Sequence, residues 1–286
     1  MAPSPRIANA LTVDVEDYFQ VEAFTGVVAA ADWDRFASRV EANTDRVLAL
    51  CDAAGVHGTF FTLGWVAERY PGIVRRIVAS GHELASHGYA HARVSRQDAA
   101  TFRADVSRAK ALLEDLGGVA ISGYRAPTFS INDSTPWAYD VLAETGHRYS
   151  SSIYPVKHDL YGAPNAPRFP FRPGPAGFVE LPMTTVPING RNLPCSGGGF
   201  FRLLPYAVFR RGLARFNATE GQPGIFYTHP WELDPDQPRI AGLSRLSRFR
   251  HYLNLGKTEP RMARLLRDFA WDRMDRVFAQ ALGGKG

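Results

Sequence analysis

Short apolar runs alternate with segments of helical periodicity along most of this chain, and glycine or proline residues separate them. Seven runs are predicted to be strands: RIANALTVDV, HGTFFTLG, HELASHG, VAISGYRAP, HRYSSSIYP, FVELPMTTV and GIFYTHPWEL. Each is followed by a helix or a long loop, which is typical of βα units and a largely parallel sheet. The pattern therefore predicts an α/β fold with a barrel-like sheet of about seven strands; a doubly wound open sheet is the alternative.

Several element boundaries can also be predicted. Asn43 is the predicted N-cap of the first helix, and Pro71 begins a later one. The segment 155–175 is rich in proline, glycine and aromatic residues, so we expect an ordered loop there. From Arg261 onward an apolar stripe predicts one long helix that packs on the barrel.

Length and composition limit the class of protein. The 286 residues are 45% hydrophobic, which suffices for one large domain or two small ones and excludes global disorder. The net charge is +5, but basic and acidic residues are interspersed, with one local basic excess at 245–250. Because no nucleic-acid-binding motif accompanies this excess, we interpret it as a solvated basic face and expect no nucleic acid partner.

Cysteine usage and hydropathy indicate the compartment. Cys51 and Cys195 are too few for a disulfide framework. The N-terminal stretch lacks the apolar core of a secretion signal, and no run approaches the length of a transmembrane segment. We therefore expect a cytoplasmic protein, with peripheral attachment to the inner membrane left open.

Three acids crowd the end of the first predicted strand. Strand alternation places Thr12, Asp14 and Glu16 on one face, and Asp17 follows just past the end. Burying unpaired carboxylates is costly, so a positive partner is expected. A helix N-cap or a surface turn is the alternative reading of this cluster.

Two histidines follow the third predicted strand. His87 and His91 are four residues apart, a spacing that on one helical turn lets two imidazoles meet one metal ion. Two histidines and a carboxylate form a catalytic site for Zn²⁺ or Fe²⁺. A divalent cation would therefore explain the acids: one carboxylate ligates it, and another stays close by to take a proton from a polarised water.

Two further strand ends carry polar residues. Arg125, held by Pro127, could pair with a carboxylate; an ordinary loop arginine is the alternative. His229 follows the last predicted strand and is well placed as a general acid, although a core histidine bonded to backbone is also consistent. Trp231 beside it could pack against a sugar ring or cap the core.

Taken in this order, the four clusters resemble the motifs of NodB-type polysaccharide deacetylases, carbohydrate esterase family four. Their incomplete (β/α) barrel is the fold that the resemblance implies here. The stretches LTVDVEDYFQVEAF, SGGGFFRLLPY, FYTHPWELDPDQPR and FRHYLNLGKTEPRMARLLRDFAW look like the subgroup found with bacterial exosortase-linked (PEP-CTERM) exopolysaccharide clusters. The resemblance implies a single deacetylase domain over 1–286, with a C-terminal helical extension, 240–286, packed on it.

Carried over residue by residue, the resemblance assigns a role to each cluster. Asp14 becomes the catalytic base, and Arg125 the residue that orients it. His87 and His91 become metal ligands, and His229 the general acid. The implied cofactor is a divalent metal ion, zinc first, with cobalt or manganese as alternatives.

The first motif departs from the family pattern of adjacent aspartates. Val15 follows Asp14, so we assign the metal carboxylate to Glu16, which shares a face with Asp14. Asp17 is the alternative ligand.

Two later motifs also depart from it. Thr128 stands after the Arg-x-Pro motif where an aromatic residue is usual, which leaves the oxyanion donor open. Ser150 stands where relatives often carry an acid.

The resemblance implies a metal-dependent hydrolase that removes acetyl groups from an N-acetylated exopolysaccharide or its precursor and releases acetate. Trp231, Thr128 and Tyr161 are the predicted substrate-binding residues, and a biosynthetic complex is a possible partner. Hydrolysis of another non-peptide C–N bond, in a cyclic amide or small acylated amine, is the enzymatic alternative. A non-catalytic glycan-binding module is the alternative from another class.

Overall fold

The computed structural model describes residues 7–174 and 177–284, and we number its strands and helices in chain order. The strands are β1 Ala8–Val15, β2 Thr59–Thr62, β3 Glu83–Ser86, β4 Gly123–Tyr124, β5 Tyr149–Ser150, β6 Val179–Glu180, β7 Thr185–Ile188, β8 Arg191–Pro194, β9 Ile225–Thr228 and β10 Ala270–Asp272. The helices are α1 Val40–Ala54, α2 Gly64–Arg69, α3 Pro71–Ala79, α4 Ala99–Gly117, α5 Trp137–Glu144, α6 Gly198–Leu203, α7 Tyr206–Glu220, α8 Arg245–Tyr252, α9 Leu255–Asp268 and α10 Met274–Val277. Both ends of the predicted domain, 1–6 and 285–286, and the end of the predicted loop at 175 lie outside the described residues.

Eight strands pair into one sheet in which every pairing is parallel. The strand order is β10-β1-β2-β3-β4-β5-β6, and β9 also pairs with β1. The sheet curls into the predicted incomplete (β/α) barrel, so the expected fold class is confirmed. The chain between 151 and 279 supplies β6, β9 and β10, and therefore completes the sheet that the earlier strands begin.

Alternation along β1 separates the apolar core from the polar interior of the barrel. Leu11, Val13 and Val15 are fully buried in the larger hydrophobic cluster, which the outer helices share. Thr12 and Asp14, which alternate with them, point to the opposite face and are also buried. Because parallel strands end at the same edge, this face delivers its polar groups to one end of the barrel.

The first helix begins three residues before the predicted cap. α1 starts at Val40, and Asn43 lies within the helix, where its amide donates to Asp234 at 3.2 Å. The side chain of Asp17 accepts from the backbone N–H groups of Arg39 and Val40 instead, at 2.8 and 3.1 Å. The prediction for Asn43 was wrong because a residue distant in sequence caps this helix.

The C-terminal segment is not one continuous helix. α9 ends at Asp268, and residues Ala270–Asp272 pair with Ala8–Ala10 of β1 as an eighth strand before α10 begins. Burial of Trp271 against the core and donation of its indole N–H to the Leu265 carbonyl at 3.1 Å hold this break. Pairing with an open sheet edge therefore outweighs the helical periodicity of the segment.

Candidate active site

The four polar clusters predicted from the sequence meet at the carboxyl ends of the parallel strands. Asp14 and Glu16 come from the end of β1, and the remaining groups follow β3, β4 and β9. They line a pocket of about 140 Å³. Its walls are Asp14, Glu16, Val21, His87, His91, Ala126, Thr128, Phe129, Tyr161, Tyr227, His229 and Trp231.

Asp14 and Arg125 form a buried ion pair inside the barrel. Nη1 of Arg125 donates to Oδ1 of Asp14 at 2.7 Å and to the Thr12 hydroxyl at 2.8 Å. Nε and Nη2 of the same guanidinium bond to the carbonyl and hydroxyl oxygens of Ser151, both at 3.1 Å. The guanidinium also lies 4.2 Å from the ring centre of Phe61. Arg125 is therefore a fixed support for Asp14 rather than an ordinary loop arginine.

Glu16, His87 and His91 bring three ligand-type atoms together. These atoms all lie within 4.8 Å of one another. Oε2 of Glu16 is buried and accepts no hydrogen bond among the described residues, although it lies 2.7 Å from Nε2 of His91. Close approach without hydrogen-bond geometry fits two groups that share a cation, and two imidazoles with a carboxylate form a zinc-type donor set. The residues present therefore fit a divalent metal ion.

The hydrogen bonds of His87 determine which of its nitrogens is free. Nδ1 lies 2.8 Å from the carbonyl oxygen of Arg125, which can only accept, so Nδ1 carries the proton. Nε2 therefore keeps its lone pair for a ligand role. Burial lowers the pKa of His87 to about 4, which favours the neutral imidazole that a metal ion requires.

The segment that carries the histidine pair is a loop, not the helical turn assumed from the spacing. Gly88 and His91 both have left-handed backbones, with φ of 76° and 51°. A side chain at Gly88 would collide with the Asp105 carboxylate, which accepts from the N–H of Tyr89 at 2.9 Å. The loop thus turns His91 back toward His87 and Glu16 by backbone geometry that spacing alone does not show.

Asp17, the alternative metal carboxylate, is engaged elsewhere. In addition to its two bonds at the start of α1, Oδ2 accepts from the Ser38 hydroxyl at 2.6 Å, and Oδ1 accepts from the N–H of Tyr18 at 2.9 Å. Both of its oxygens are therefore occupied by structural hydrogen bonds. The geometry favours Glu16 over Asp17 as a ligand.

His229 faces the carboxylates of Asp14 and Glu16 from the opposite wall. Its Nε2 lies 3.6 Å from Oε1 of Glu16 and 3.9 Å from Oδ2 of Asp14. Burial alone would lower the pKa of His229, but Glu16, Glu232 and Asp14 outweigh it and raise the pKa to about 9. In the metal-free site, His229 is therefore protonated at neutral pH.

A buried carboxylate and a buried guanidinium stand behind His229. Oε1 of Glu232 accepts from Nδ1 of His229 at 2.7 Å, and Oε2 accepts from Nε of Arg202 at 2.6 Å. Burial alone would raise the pKa of Glu232, but Arg202 and His229 outweigh it and lower the pKa to about 2. Sequence reasoning missed both residues. The only signal was the spacing of Glu232, three residues after His229 in the turn Pro230–Leu233.

The three predicted substrate-binding residues all line the pocket, in different environments. Trp231 is 5% exposed and donates its indole N–H to Glu16 at 3.2 Å, so most of its contacts are internal. Tyr161 stacks on His158 at 4.1 Å and stands at the pocket wall. Thr128 has a left-handed backbone, φ 57°, directly after Pro127. Their roles toward a substrate stay predictions.

A larger cavity, of about 440 Å³, lies at the opposite end of the barrel, around Glu83 and Tyr149. Glu83 accepts there from the Tyr149 hydroxyl at 2.8 Å, and Arg273 pairs with Asp275. Among the described residues, one group of three side chains could hold a metal ion, and it consists of Glu16, His87 and His91 in the smaller pocket. The smaller pocket is therefore the candidate active site.

The curled parallel sheet with polar groups at its carboxyl edge has the fold of the incomplete (β/α) barrel found in carbohydrate esterase family four. Residues 28–150 match the family model described as polysaccharide deacetylase, and residues 151–279 match one described as a domain of unknown function (DUF3473). A crystal structure of a candidate polysaccharide deacetylase from Mycobacterium smegmatis superimposes with a TM-score of 0.61 at 25% identity, covering 100% of this chain and 95% of that one. These matches support a NodB-type polysaccharide deacetylase domain in this chain.

Two curated relatives match shorter stretches. A peptidoglycan-N-acetylglucosamine deacetylase from Bacillus cereus is 31% identical over 96 residues, which is 33% of this chain and 35% of that protein. A chitooligosaccharide deacetylase from Bradyrhizobium is 31% identical over 111 residues, which is 39% of this chain and 48% of that protein. The matches thus span less than half of these relatives.

Fold alone does not decide activity in this group. A pseudoenzyme of the CE4 family from Bacillus anthracis has the same fold, with a TM-score of 0.50 at 12% identity, covering 96% of this chain and 66% of that one. The argument for activity therefore depends on the side chains of the pocket.

Among the described residues, no helix has the length and apolarity needed to cross a membrane.

Proposed function

We propose that this protein is a metal-dependent deacetylase that hydrolyses the acetamide of an N-acetylated sugar to acetate and a free amino sugar. The observation that carries the proposal is the convergence of three features on one pocket: the carboxylate of Asp14 held by an arginine, three residues that could hold a metal ion, and His229 paired with a glutamate. Each of these groups has a distinct task in amide hydrolysis.

Glu16, His87 and His91 would hold the metal ion, zinc by preference because its donor set suits two imidazoles and a carboxylate. When bound, a divalent cation supplies a Lewis acid that polarises the amide carbonyl and lowers the pKa of water. Trp231 fixes the other oxygen of Glu16, which leaves Oε2 directed to the histidines. A hydrogen bond from the indole N–H of Trp231 would therefore orient Glu16 as a metal ligand.

Asp14 is the proposed base. Arg125 occupies its Oδ1, so Oδ2, which faces His229, is the oxygen that takes a proton from the attacking water. The water oxygen forms a bond to the acetamide carbon as that proton leaves. Because Arg125 is held by four further contacts, the carboxylate keeps its position during the transfer.

His229 is the proposed acid. Glu232 and Asp14 both raise the pKa of His229 and so favour the imidazolium, and Nε2 is the nitrogen that faces the pocket carboxylates. An amide nitrogen is a poor leaving group as an anion, so the C–N bond breaks as His229 protonates it. Glu232 holds Nδ1 and therefore fixes the ring orientation throughout.

The oxyanion donor is proposed to be a backbone N–H of the turn at Thr128. Consecutive left-handed residues, Thr128 and Phe129, are rare outside functional turns, and both line the pocket. A donor of this kind contributes about 3 kcal/mol to transition-state stabilisation. Tyr161 and Thr128 would then bound the acetyl group and the sugar.

The finer parts of the proposal concern the substrate and its setting. The sequence resemblance supports membership of the subgroup linked to exosortase clusters. It therefore supports an exopolysaccharide or its precursor as the substrate. It also supports a cytoplasmic location beside a biosynthetic complex. The names of the relatives support N-acetylglucosamine polymers as the first substrates to test.

The test is acetate release from N-acetylglucosamine oligomers by the purified, zinc-loaded protein and by Asp14→Asn. Loss of the base should lower kcat about 10²-fold or more, with circular dichroism unchanged. Asp52→Asn, an exposed carboxylate on α1, is the matched control and should retain full activity. Equal turnover by Asp14→Asn would refute the assignment, and acetate from neither protein would favour another amide or a binding module.

A further inference from the structure

A second cavity, of about 270 Å³, adjoins the candidate active site on the side of the chain that follows β1. Val21 and His91 line both cavities, so the two are adjacent. Gln20, Glu22 and Arg93 line the second cavity, and we call it the side groove. A ligand at the active site that extends past Val21 and His91 would reach the side groove.

Two buried donors of the side groove have no hydrogen-bond partner among residues 7–174 and 177–284. They are Nε2 of Gln20 and Nε of Arg93. Oε1 of Gln20 accepts from the N–H of Asp17 at 2.7 Å, which establishes that the amide nitrogen is the unpaired end. Gln20 is only 2% exposed. Buried N–H groups without an acceptor are costly, so a water or a ligand oxygen is expected to accept from them.

The charges of the side groove are also unbalanced. Oε1 of Glu22 is shared by Nη1 of Arg93 at 3.2 Å and Nη2 of Arg96 at 3.0 Å. The side chains of Arg93 and Glu22 are only 17% and 10% exposed. Glu22 is the only acid among the described residues that line the side groove, so one carboxylate faces two guanidiniums. The excess positive charge comes from Arg96, whose side chain is 61% exposed, and it favours an anion at the side groove.

We propose that the side groove binds the carboxylate of an acidic sugar, a uronic acid, next to the N-acetylated sugar at the active site. One negative charge and two acceptor oxygens match the excess positive charge and the two unpaired N–H groups. Trp33, which also lines the side groove, offers an apolar wall for the ring. This inference rests on the proposed function, because it names the neighbour of the sugar that is deacetylated.

The test compares two tetrasaccharides. One alternates glucuronic acid with N-acetylglucosamine; in the other the same carboxyl groups have been reduced to alcohols. Their Kd values are measured by isothermal titration calorimetry with zinc-loaded protein that carries Asp14→Asn, which removes the proposed base and slows turnover. We expect the acidic tetrasaccharide to bind about tenfold more tightly, because it makes charge-assisted hydrogen bonds.

Three variants test which residues cause the preference for the acidic tetrasaccharide. Gln20→Glu keeps the oxygen that accepts from Asp17 but replaces the unpaired N–H₂ with oxygen, so it should abolish the tenfold preference. Arg96→Gln, at a side chain that is 61% exposed, removes the excess positive charge and should reduce the preference. Gln222→Glu, at an exposed position outside the side groove, introduces the same charge as Gln20→Glu and should leave the preference unchanged.

Equal Kd values for the two tetrasaccharides, no measurable binding of the acidic one, or a preference that survives both Gln20→Glu and Arg96→Gln would overturn the inference. Failure of the proposed function is distinguishable from these outcomes. In that case the acidic tetrasaccharide still binds preferentially, but the zinc-loaded protein releases no acetate from either compound.

Discussion

The pKa of His229 predicts how the stability of the metal-free protein depends on pH. His229 titrates at about 9 in the folded protein, against its ordinary value of 6.5, because Glu16, Glu232 and Asp14 surround it. A raised pKa means that protonated His229 stabilises the folded state. That contribution is complete below pH 6.5 and disappears as the pH rises through 9. With about 1.4 kcal/mol for each pKa unit, the shift corresponds to about 3 kcal/mol.

The perturbation is His229→Gln, which removes the titrating group but keeps a polar side chain. The free energy of unfolding is measured by urea denaturation of both proteins, with a chelator present, from pH 6 to pH 10. Contacts that do not titrate shift the two curves by a constant amount. The advantage of the wild type should therefore be about 3 kcal/mol larger at pH 6 than at pH 10. A difference that stays constant within about 0.5 kcal/mol would refute the electrostatic account of the site.

Three further predictions concern the groups around the site. Glu232→Gln removes the negative charge behind His229, so it should lower kcat more than it changes KM. It should also move the alkaline limb of the pH–kcat profile to lower pH, and an unchanged limb would contradict the role of Glu232 in holding the proton on His229. Glu16→Gln should weaken zinc binding by about tenfold or more at nearly unchanged Tm, because it removes a proposed metal ligand. Asp17→Asn should keep the zinc stoichiometry but lose about 1–2 kcal/mol of stability, because it weakens the cap of α1. Zinc titration and thermal melts of both variants test this pair, and weaker zinc binding in Asp17→Asn with unchanged binding in Glu16→Gln would contradict it. Arg125→Met leaves Asp14 buried without its partner and should cost about 3–5 kcal/mol by urea denaturation, and a cost below about 1 kcal/mol would contradict the buried ion pair.

Local patterns predicted the parts of the fold that local chemistry determines. Strand periodicity and turn residues locate β1 and β9, and parallel pairing then brings Asp14 and His229 to one edge. The hairpin β7–β8 was missed, although its signal was present. Asn189 and Gly190 both have positive φ and form the two-residue connection that an Asn-Gly pair favours.

What the sequence could not predict depends on contacts between distant segments. Asp17 caps a helix that begins 23 residues later, and Arg202 reaches Glu232 across 30 residues. Neither partner has a periodic pattern that marks the pairing. β10 exists because β1 offers it an unpaired edge, which helical periodicity does not reveal. These features are tertiary, and only the folded arrangement shows them.

The most direct test of the central claim is to strip the protein of metal, resupply Zn²⁺, Co²⁺ or Mn²⁺, and measure acetate release from N-acetylglucosamine oligomers. The account predicts no release from the stripped protein, recovery with one ion per chain, and neither metal binding nor release in His87→Ala. Full acetate release by the stripped protein, or by His87→Ala, would contradict it.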